Sequence, residues 1–197
     1  MARTRVAVLI SGRGSNMMAL VEAARDPVYP AAIALVLSNR ADAPGLAFAT
    51  ARGIATEVVD HRAHPSRQAF EAALDERLLA HRIELVACAG FMRILGAGFV
   101  GRWRGRILNI HPSLLPAYRG LDTHARALAD GAAIHGCTVH ELTAELDAGP
   151  VIVQAQVPVL AGDTAETLAA RVLAEEHRIY PEALALVARH LQAKTST

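Results

Sequence analysis

The run Val6-Ala7-Val8-Leu9-Ile10-Ser11-Gly12-Arg13-Gly14-Ser15-Asn16 decides how this chain folds. Residues 6–10 are a short unbroken apolar run, the pattern of a strand buried on both faces. Residues 11–16 then carry two glycines and no large apolar side chain. From there Met17, Leu20, Val21 and Ala24 fall on one face of a helix. Strand, glycine-rich turn and helix, in that order, aim free backbone N–H groups at an anion. Ser15 or Asn16 is expected to cap the helix. The simpler alternative is that the glycines only make a tight turn; the flanking strand and helix favour a phosphate site.

The alternation continues downstream. Residues 33–37, 56–59, 85–89 and 107–110 read as further buried strands. Between them, Pro44-Gly45 opens a short helix that ends at Gly53. Ser66 caps a longer one whose core face is Phe70, Leu74, Leu78 and Leu79. Short helices are expected around residues 97–103 and 123–129. The loop holding His61 and His64 reads as solvated, because two histidines with no third ligand nearby make no metal site. After residue 130 the pattern changes. Residues 137–142 and 151–157 are β-rich and read as an antiparallel pair joined by a long loop, residues 143–150. Asp163 and Glu166 are expected to form a capping box for the last helix. Its apolar positions are Leu168, Val172, Ile179, Leu184 and Val187. Pro181 is expected to kink or divide it, and residues 193–197 to fray. The fold expected is α/β: a doubly wound, mostly parallel sheet with a Rossmann-type N-terminal half, an antiparallel C-terminal strand pair and a C-terminal helix.

Composition agrees. The 197 residues suit one domain, and 52% hydrophobic with 4% aromatic content means a core of Ala, Val, Leu and Ile. Twenty basic and 19 acidic residues give a net charge of +1, no electrostatic case for a nucleic-acid or membrane partner. Cys88 and Cys137 form no C-x-x-C pair, which fits a reducing compartment. The first apolar run is too short for a signal-peptide core, and no later run is long enough to span a bilayer. A cytoplasmic protein is expected. His135 and His140 read as satisfied structural histidines, and no metal is expected.

In a doubly wound sheet, ligands bind outside the carboxyl ends of the strands. Three segments fall there: residues 12–16, residues 90–95, and Asn109 with His111. In Leu108-Asn109-Ile110-His111-Pro112-Ser113-Leu114-Leu115-Pro116, the two polar side chains point to one side of an extended backbone. Pro112 ends the strand and keeps His111 extended. A donor amide beside an imidazole suits chemistry that stabilises an oxyanion and carries a proton. The apolar residues of Gly90-Phe91-Met92-Arg93-Ile94-Leu95 either line a pocket for a flat ligand or bury a connection to the next helix. By residue type alone, Asp147 in Glu145-Leu146-Asp147-Ala148-Gly149-Pro150 is an ordinary turn residue.

Taken together these segments resemble the phosphoribosylglycinamide formyltransferase family, over nearly the whole chain. The likeness is carried by VLISGRGSN at 8–16, AGFMRIL at 89–95, NIHPSLLP at 109–116, ELDAGPVI at 145–152 and EHRIYP at 176–181. It implies one domain over residues 1–197, with a phosphate-binding half at about 1–105 and a folate and catalytic half at about 106–197. It implies transfer of a formyl group from 10-formyltetrahydrofolate, a cosubstrate, to the amine of glycinamide ribonucleotide in purine biosynthesis, without a metal. Gly14, Ser15 and Asn16 would hold the ribonucleotide phosphate, and Glu176 its sugar or glycinamide part. Arg67, Met92, Arg93, Ile94, Leu95, Asn109, Thr143, Ala144, Glu145, Leu146 and Asp147 would hold the folate. Asn109, His111 and Asp147 would be catalytic, with Asn109 and protonated His111 donating to the oxyanion and Asp147 favouring the protonated ring. Small molecules are the partners implied, for a monomer or homodimer. Leu173 departs from a common Gln, and residues 118–124 vary, which affects loop contacts.

Rival readings remain at this point. A hydrolase of the same donor resembles the chain around Asn109, His111 and Asp147 but carries a regulatory domain for which a sheet starting at Val6 is expected to leave no room. A methionyl-tRNA formyltransferase needs an RNA-binding domain and a basic surface. A dinucleotide-binding protein would use Gly12 and Gly14 with Arg40 after the second strand, yet Met17 stands where the third glycine belongs.

Overall fold

The computed structural model of the chain describes residues 2–195. Its centre is a seven-stranded sheet in the order β3-β2-β1-β4-β5-β6-β7. The strands are β1 (Thr4–Ile10), β2 (Ala31–Ser38), β3 (Ala55–Val58), β4 (Leu85–Cys88), β5 (Ile107–His111), β6 (Ile134–Glu141) and β7 (Val151–Pro158). Pairing is parallel from β3 to β5 and antiparallel at β5–β6 and β6–β7. The central strands are buried on both faces, as their unbroken apolar runs require. In β1, Val6, Val8 and Ile10 enter one core layer while Ala7 and Leu9 enter the other.

Helices α1 (Ser15–Ala23), α2 (Pro44–Thr50) and α6 (Ala165–Thr195) supply side chains to the first layer. Helices α3 (Arg67–Ala80) and α4 (Ala97–Arg102) supply the second, and α5 (Thr123–Ala129) packs beside α6. Tyr180 of α6 is fully buried, and its hydroxyl donates to the Cys88 carbonyl at 2.9 Å. That bond ties the C-terminal helix to the middle of the sheet, satisfying a polar group that would otherwise be costly there.

Several local expectations are corrected. Neither Ser15 nor Asn16 caps α1: Gly14 takes that position in a left-handed conformation (φ 69°), with no side-chain cap. The capping box of α6 is not Asp163 with Glu166 but Thr164 with Thr167, each donating its N–H to the other's hydroxyl at 2.9 and 3.3 Å. Asp163 instead pairs with Arg171 at 2.7 Å. Pro181 does not divide the last helix, which runs for 31 residues and keeps residues 193–195 helical. Residues 196–197 of the expected frayed tail lie outside the described residues. Leu79 is 65% exposed rather than in the core; one step past Leu78, it turns about 100° around the helix axis. Ser66 does cap α3, its hydroxyl accepting the Ala69 N–H at 3.1 Å.

β1 has β2 on one side and β4 on the other, so the chain leaves it in opposite directions. The crevice beyond these carboxyl ends is where such a sheet binds ligands.

Candidate active site

The loops after β1, β2 and β4 are stitched together around Ser11. Its hydroxyl donates to Asn39 Oδ1 at 2.6 Å and accepts the Met92 N–H at 2.8 Å. Gly14, Ser15 and Asn16 line a cleft of about 350 Å³ that also takes in Arg13, Arg40 and Arg93. No carboxylate lines it, so a phosphate would meet backbone N–H groups among guanidinium groups. Arg40 is partly committed, holding Asp42 at 2.7 Å. Asn39 and His61 also line the cleft, with Asn39 Nδ2 and His61 Nδ1 3.2 Å apart. His61 is therefore also part of the cleft wall, in a loop whose Arg62 and Ala63 are exposed.

Asn16 turns away from its own helix. Its amide donates to Glu176 Oε2 at 2.6 Å, and its Oδ1 has no partner. Glu176 is 8% exposed, and burial pushes its carboxyl above the usual range. The pair joins the glycine-rich turn to α6 and leaves the buried Asn16 Oδ1 unpaired beside the cleft.

At the end of β5, Asn109 lies opposite His140 of β6 in register. His140 Nδ1 is 3.0 Å from the Glu141 carbonyl, which can only accept, so Nδ1 carries the hydrogen. Nε2 is then an acceptor, and it takes one amide hydrogen of Asn109 at 3.3 Å. Burial lowers the His140 pKa and keeps it in this neutral form. The second amide hydrogen of Asn109 remains for a ligand.

The same logic fixes His111. Its Nε2 is 3.0 Å from the Tyr118 carbonyl, so Nε2 carries a hydrogen. The acceptor nitrogen of the neutral ring is therefore Nδ1, which lies 3.4 Å from Asp147 Oδ2. Asp147 Oδ2 also accepts the Gly120 N–H at 2.9 Å. Its Oδ1 is 3.7 Å from His140 Nε2. The structure thus brings Asn109, His111 and Asp147 together, with His140 between Asn109 and Asp147. Tyr118 and Asp147 both sit at positive φ, 54° and 47°, a conformation that costs a non-glycine residue about 1–2 kcal/mol and clusters at functional sites. Behind them, His135 is 1% exposed and neither ring nitrogen has a partner. It is not a satisfied structural histidine; burial pulls it down to about 4.

The candidate folate segments frame this group less uniformly. Met92 and Ile94 are 70% and 71% exposed, but Leu95 is buried in the second core layer and has only main chain to offer. Arg93 and Met92 line the phosphate-side cleft rather than a separate pocket. Arg67 lies 3.8 Å from Glu71, which accepts the Gly96 N–H at 2.6 Å, so it flanks the 92–95 segment. In the 143–147 loop, the Thr143 hydroxyl donates to the Glu145 carbonyl at 3.1 Å, Ala144 is exposed, and Glu145 pairs with Arg119 at 2.9 Å. Leu146 is exposed, and Leu173 is half-buried on α6.

The formyl transferase family matches residues 4–184. Phosphoribosylglycinamide formyltransferase of Escherichia coli (strain K12) is 48% identical over 176 residues, 89% of this chain and 83% of that one. The chain belongs to the phosphoribosylglycinamide formyltransferase family. Crystal structures of the family superpose closely. That of phosphoribosylglycinamide formyltransferase from Brucella melitensis is 52% identical with a TM-score of 0.92, covering 95% of this chain and 96% of the other. That of glycinamide ribonucleotide transformylase 1 from Symbiobacterium toebii is 50% identical with a TM-score of 0.93, covering 95% and 89%. The trifunctional purine biosynthetic protein adenosine-3 of Bos taurus is 49% identical over 186 residues. There the chain spans only 18% of the relative's length. The mostly parallel sheet with its antiparallel end and C-terminal helix is the family's fold.

Proposed function

We propose that the chain transfers the formyl group of 10-formyltetrahydrofolate directly to the primary amine of glycinamide ribonucleotide, a step of purine biosynthesis. The observation that carries this reading is the grouping of His111, Asp147, His140 and Asn109 at the end of β5. In this reading the amine attacks the formyl carbon, forming the new C–N bond, while the carbonyl electron pair moves to oxygen. Asn109 donates its second amide hydrogen to that oxygen, and protonated His111 donates from Nδ1. A preorganised donor of this kind lowers a barrier by about 3 kcal/mol. Asp147 faces the cationic ring and orients it. The attacking amine loses a proton, the C–N10 bond breaks, and N10 leaves carrying a proton, so no covalent enzyme intermediate forms.

Gly14, Ser15 and Asn16 hold the phosphate and Glu176 the glycinamide end. Arg67, Met92, Arg93, Ile94 and the main chain of Leu95 hold the folate with Thr143, Ala144, Glu145, Leu146 and Asp147. On this division the ribonucleotide lies against the glycine-rich turn and α6, and the folate lies between residues 67 and 92–95 of the first half and the 143–147 loop of the second. Among the described residues no group of three or more His, Cys, Asp or Glu side chains is placed to hold a metal ion, and the chemistry asks for none. Among them, too, no helix is long and apolar enough to cross a membrane. We place the protein in the cytoplasm, as a monomer or homodimer.

The test mixes purified protein with both substrates and follows tetrahydrofolate release. Release that requires the ribonucleotide supports transfer. Release at the same rate without it selects hydrolysis of the donor.

A further inference from the structure

We infer that Arg126 of α5 is a positioning residue that holds His111 and Asp147 in register by clamping the loop of residues 118–121. The inference rests on the catalytic assignment above. Both of those side chains are held by main-chain groups of one short loop: the Tyr118 carbonyl meets His111 Nε2 at 3.0 Å, and the Gly120 N–H meets Asp147 Oδ2 at 2.9 Å. The loop belongs to no strand or helix. Its Tyr118 is held at a positive φ of 54°, which persists only where the surroundings enforce it.

Arg126 supplies that enforcement. Its Nη1 donates to the Arg119 carbonyl at 2.7 Å and to the Leu121 carbonyl at 3.2 Å, on either side of Gly120. Its guanidinium carbon also lies 5.5 Å from the centre of the Tyr118 ring. One side chain therefore touches residues 118, 119 and 121. It rises from a fixed base, because Ala127 is fully buried and the Thr123 hydroxyl donates to the Pro112 carbonyl at 2.7 Å. A planar guanidinium suits such a clamp, because it forks hydrogen bonds and stacks on a ring, where an ammonium is a point charge. Misplacing a reacting group by about 1 Å costs about a hundredfold in rate. Arg126 is exposed, so the expected loss is smaller.

The experiment measures kcat and both KM values for Arg126→Met and Arg126→Lys, alone and combined with His111→Ala. The expected result is a fall in kcat of about tenfold for Arg126→Met with both KM values within about twofold, and partial recovery in Arg126→Lys. In the His111→Ala background, Arg126→Met should cause no further loss, since the geometry it protects is already gone. An unchanged kcat, a rise confined to KM, or a full additional loss in the His111→Ala background would each overturn the inference. His111→Ala turning over at the parent rate would overturn the catalytic assignment and this inference with it. An inert Arg126→Met beside an inactive His111→Ala overturns this inference alone.

Discussion

Replacing Asp147 with Asn removes one unit of charge and leaves almost everything else in place. The Gly120 N–H, now 2.9 Å from Oδ2, keeps an acceptor in the amide oxygen, so the loop should hold its position. What disappears is the carboxylate 3.4 Å from His111 Nδ1. Two opposite unit charges at that separation attract by about 5 kcal/mol at an effective dielectric of about 20. Both side chains are 7% exposed, so solvent screens the pair little. Part of that attraction offsets the cost of burying the carboxylate. With each 1.36 kcal/mol worth about a factor of ten, the expected loss in kcat is about a thousandfold. The assay is ribonucleotide-dependent release of tetrahydrofolate after rapid mixing, with thermal unfolding as the control for structure. A folded Asp147→Asn protein with kcat within about tenfold of the parent would refute the charge argument.

Three other outcomes are expected. Burial raises the Glu176 pKa, so between the usual carboxyl value and the raised one the folded state holds a proton the unfolded state has lost. Stability therefore falls as pH rises through that window, and Glu176→Gln should melt above the parent at pH 7 while its KM for the ribonucleotide rises about tenfold or more; a parent-like Tm and KM would contradict this. His135 titrates at about 4 when folded against an ordinary 6.5, so the unfolded chain takes that proton first and stability drops as pH falls from 6.5 towards 4. His135→Leu should flatten that slope in urea titrations across the window, and an unchanged slope would remove His135 from the acid response. A Cβ at Gly149 would collide with the Glu141 carbonyl oxygen, whereas one at Gly98 meets nothing within 4 Å. Gly149→Ala should cost about 3 kcal/mol or more and lower Tm by about 6–12 °C, with Gly98→Ala as the neutral control; equal melting of the two variants would show that the backbone yields there.

What the chain reveals by residue type and period is its parallel sheet and the strand end that bears Asn109 and His111. Apolar runs such as residues 6–10 and the cap at Ser66 are local signals that survive into the fold, whereas the caps expected at Ser15 or Asn16 and at Asp163 with Glu166 do not. The contacts that complete the site are not local. His140 meets Asn109 only because β5 and β6 pair antiparallel in one register, which the period of either strand leaves open. The residue that orients His111 contributes a carbonyl, and a carbonyl is common to every residue type; only the positive φ of Tyr118 marks the position as special. Asn16 looks like a helix cap in sequence, but α6 brings Glu176 within 2.6 Å of its amide and claims it. Asp147 is readable by residue type only as a turn residue, and the likeness of the whole chain to a family is what gives it a role. Leu95 is ambiguous for a related reason: an apolar residue after a strand serves a pocket or a core equally well, and here the core takes it.

The mechanism turns on which nitrogen of His111 is left to face the developing oxyanion. Nitrogen-15 NMR of protein labelled at the histidine rings reads this directly. The expected spectrum shows the neutral ring of His111 protonated at Nε2, the nitrogen that faces the Tyr118 carbonyl. A neutral ring protonated at Nδ1 would contradict the mechanism.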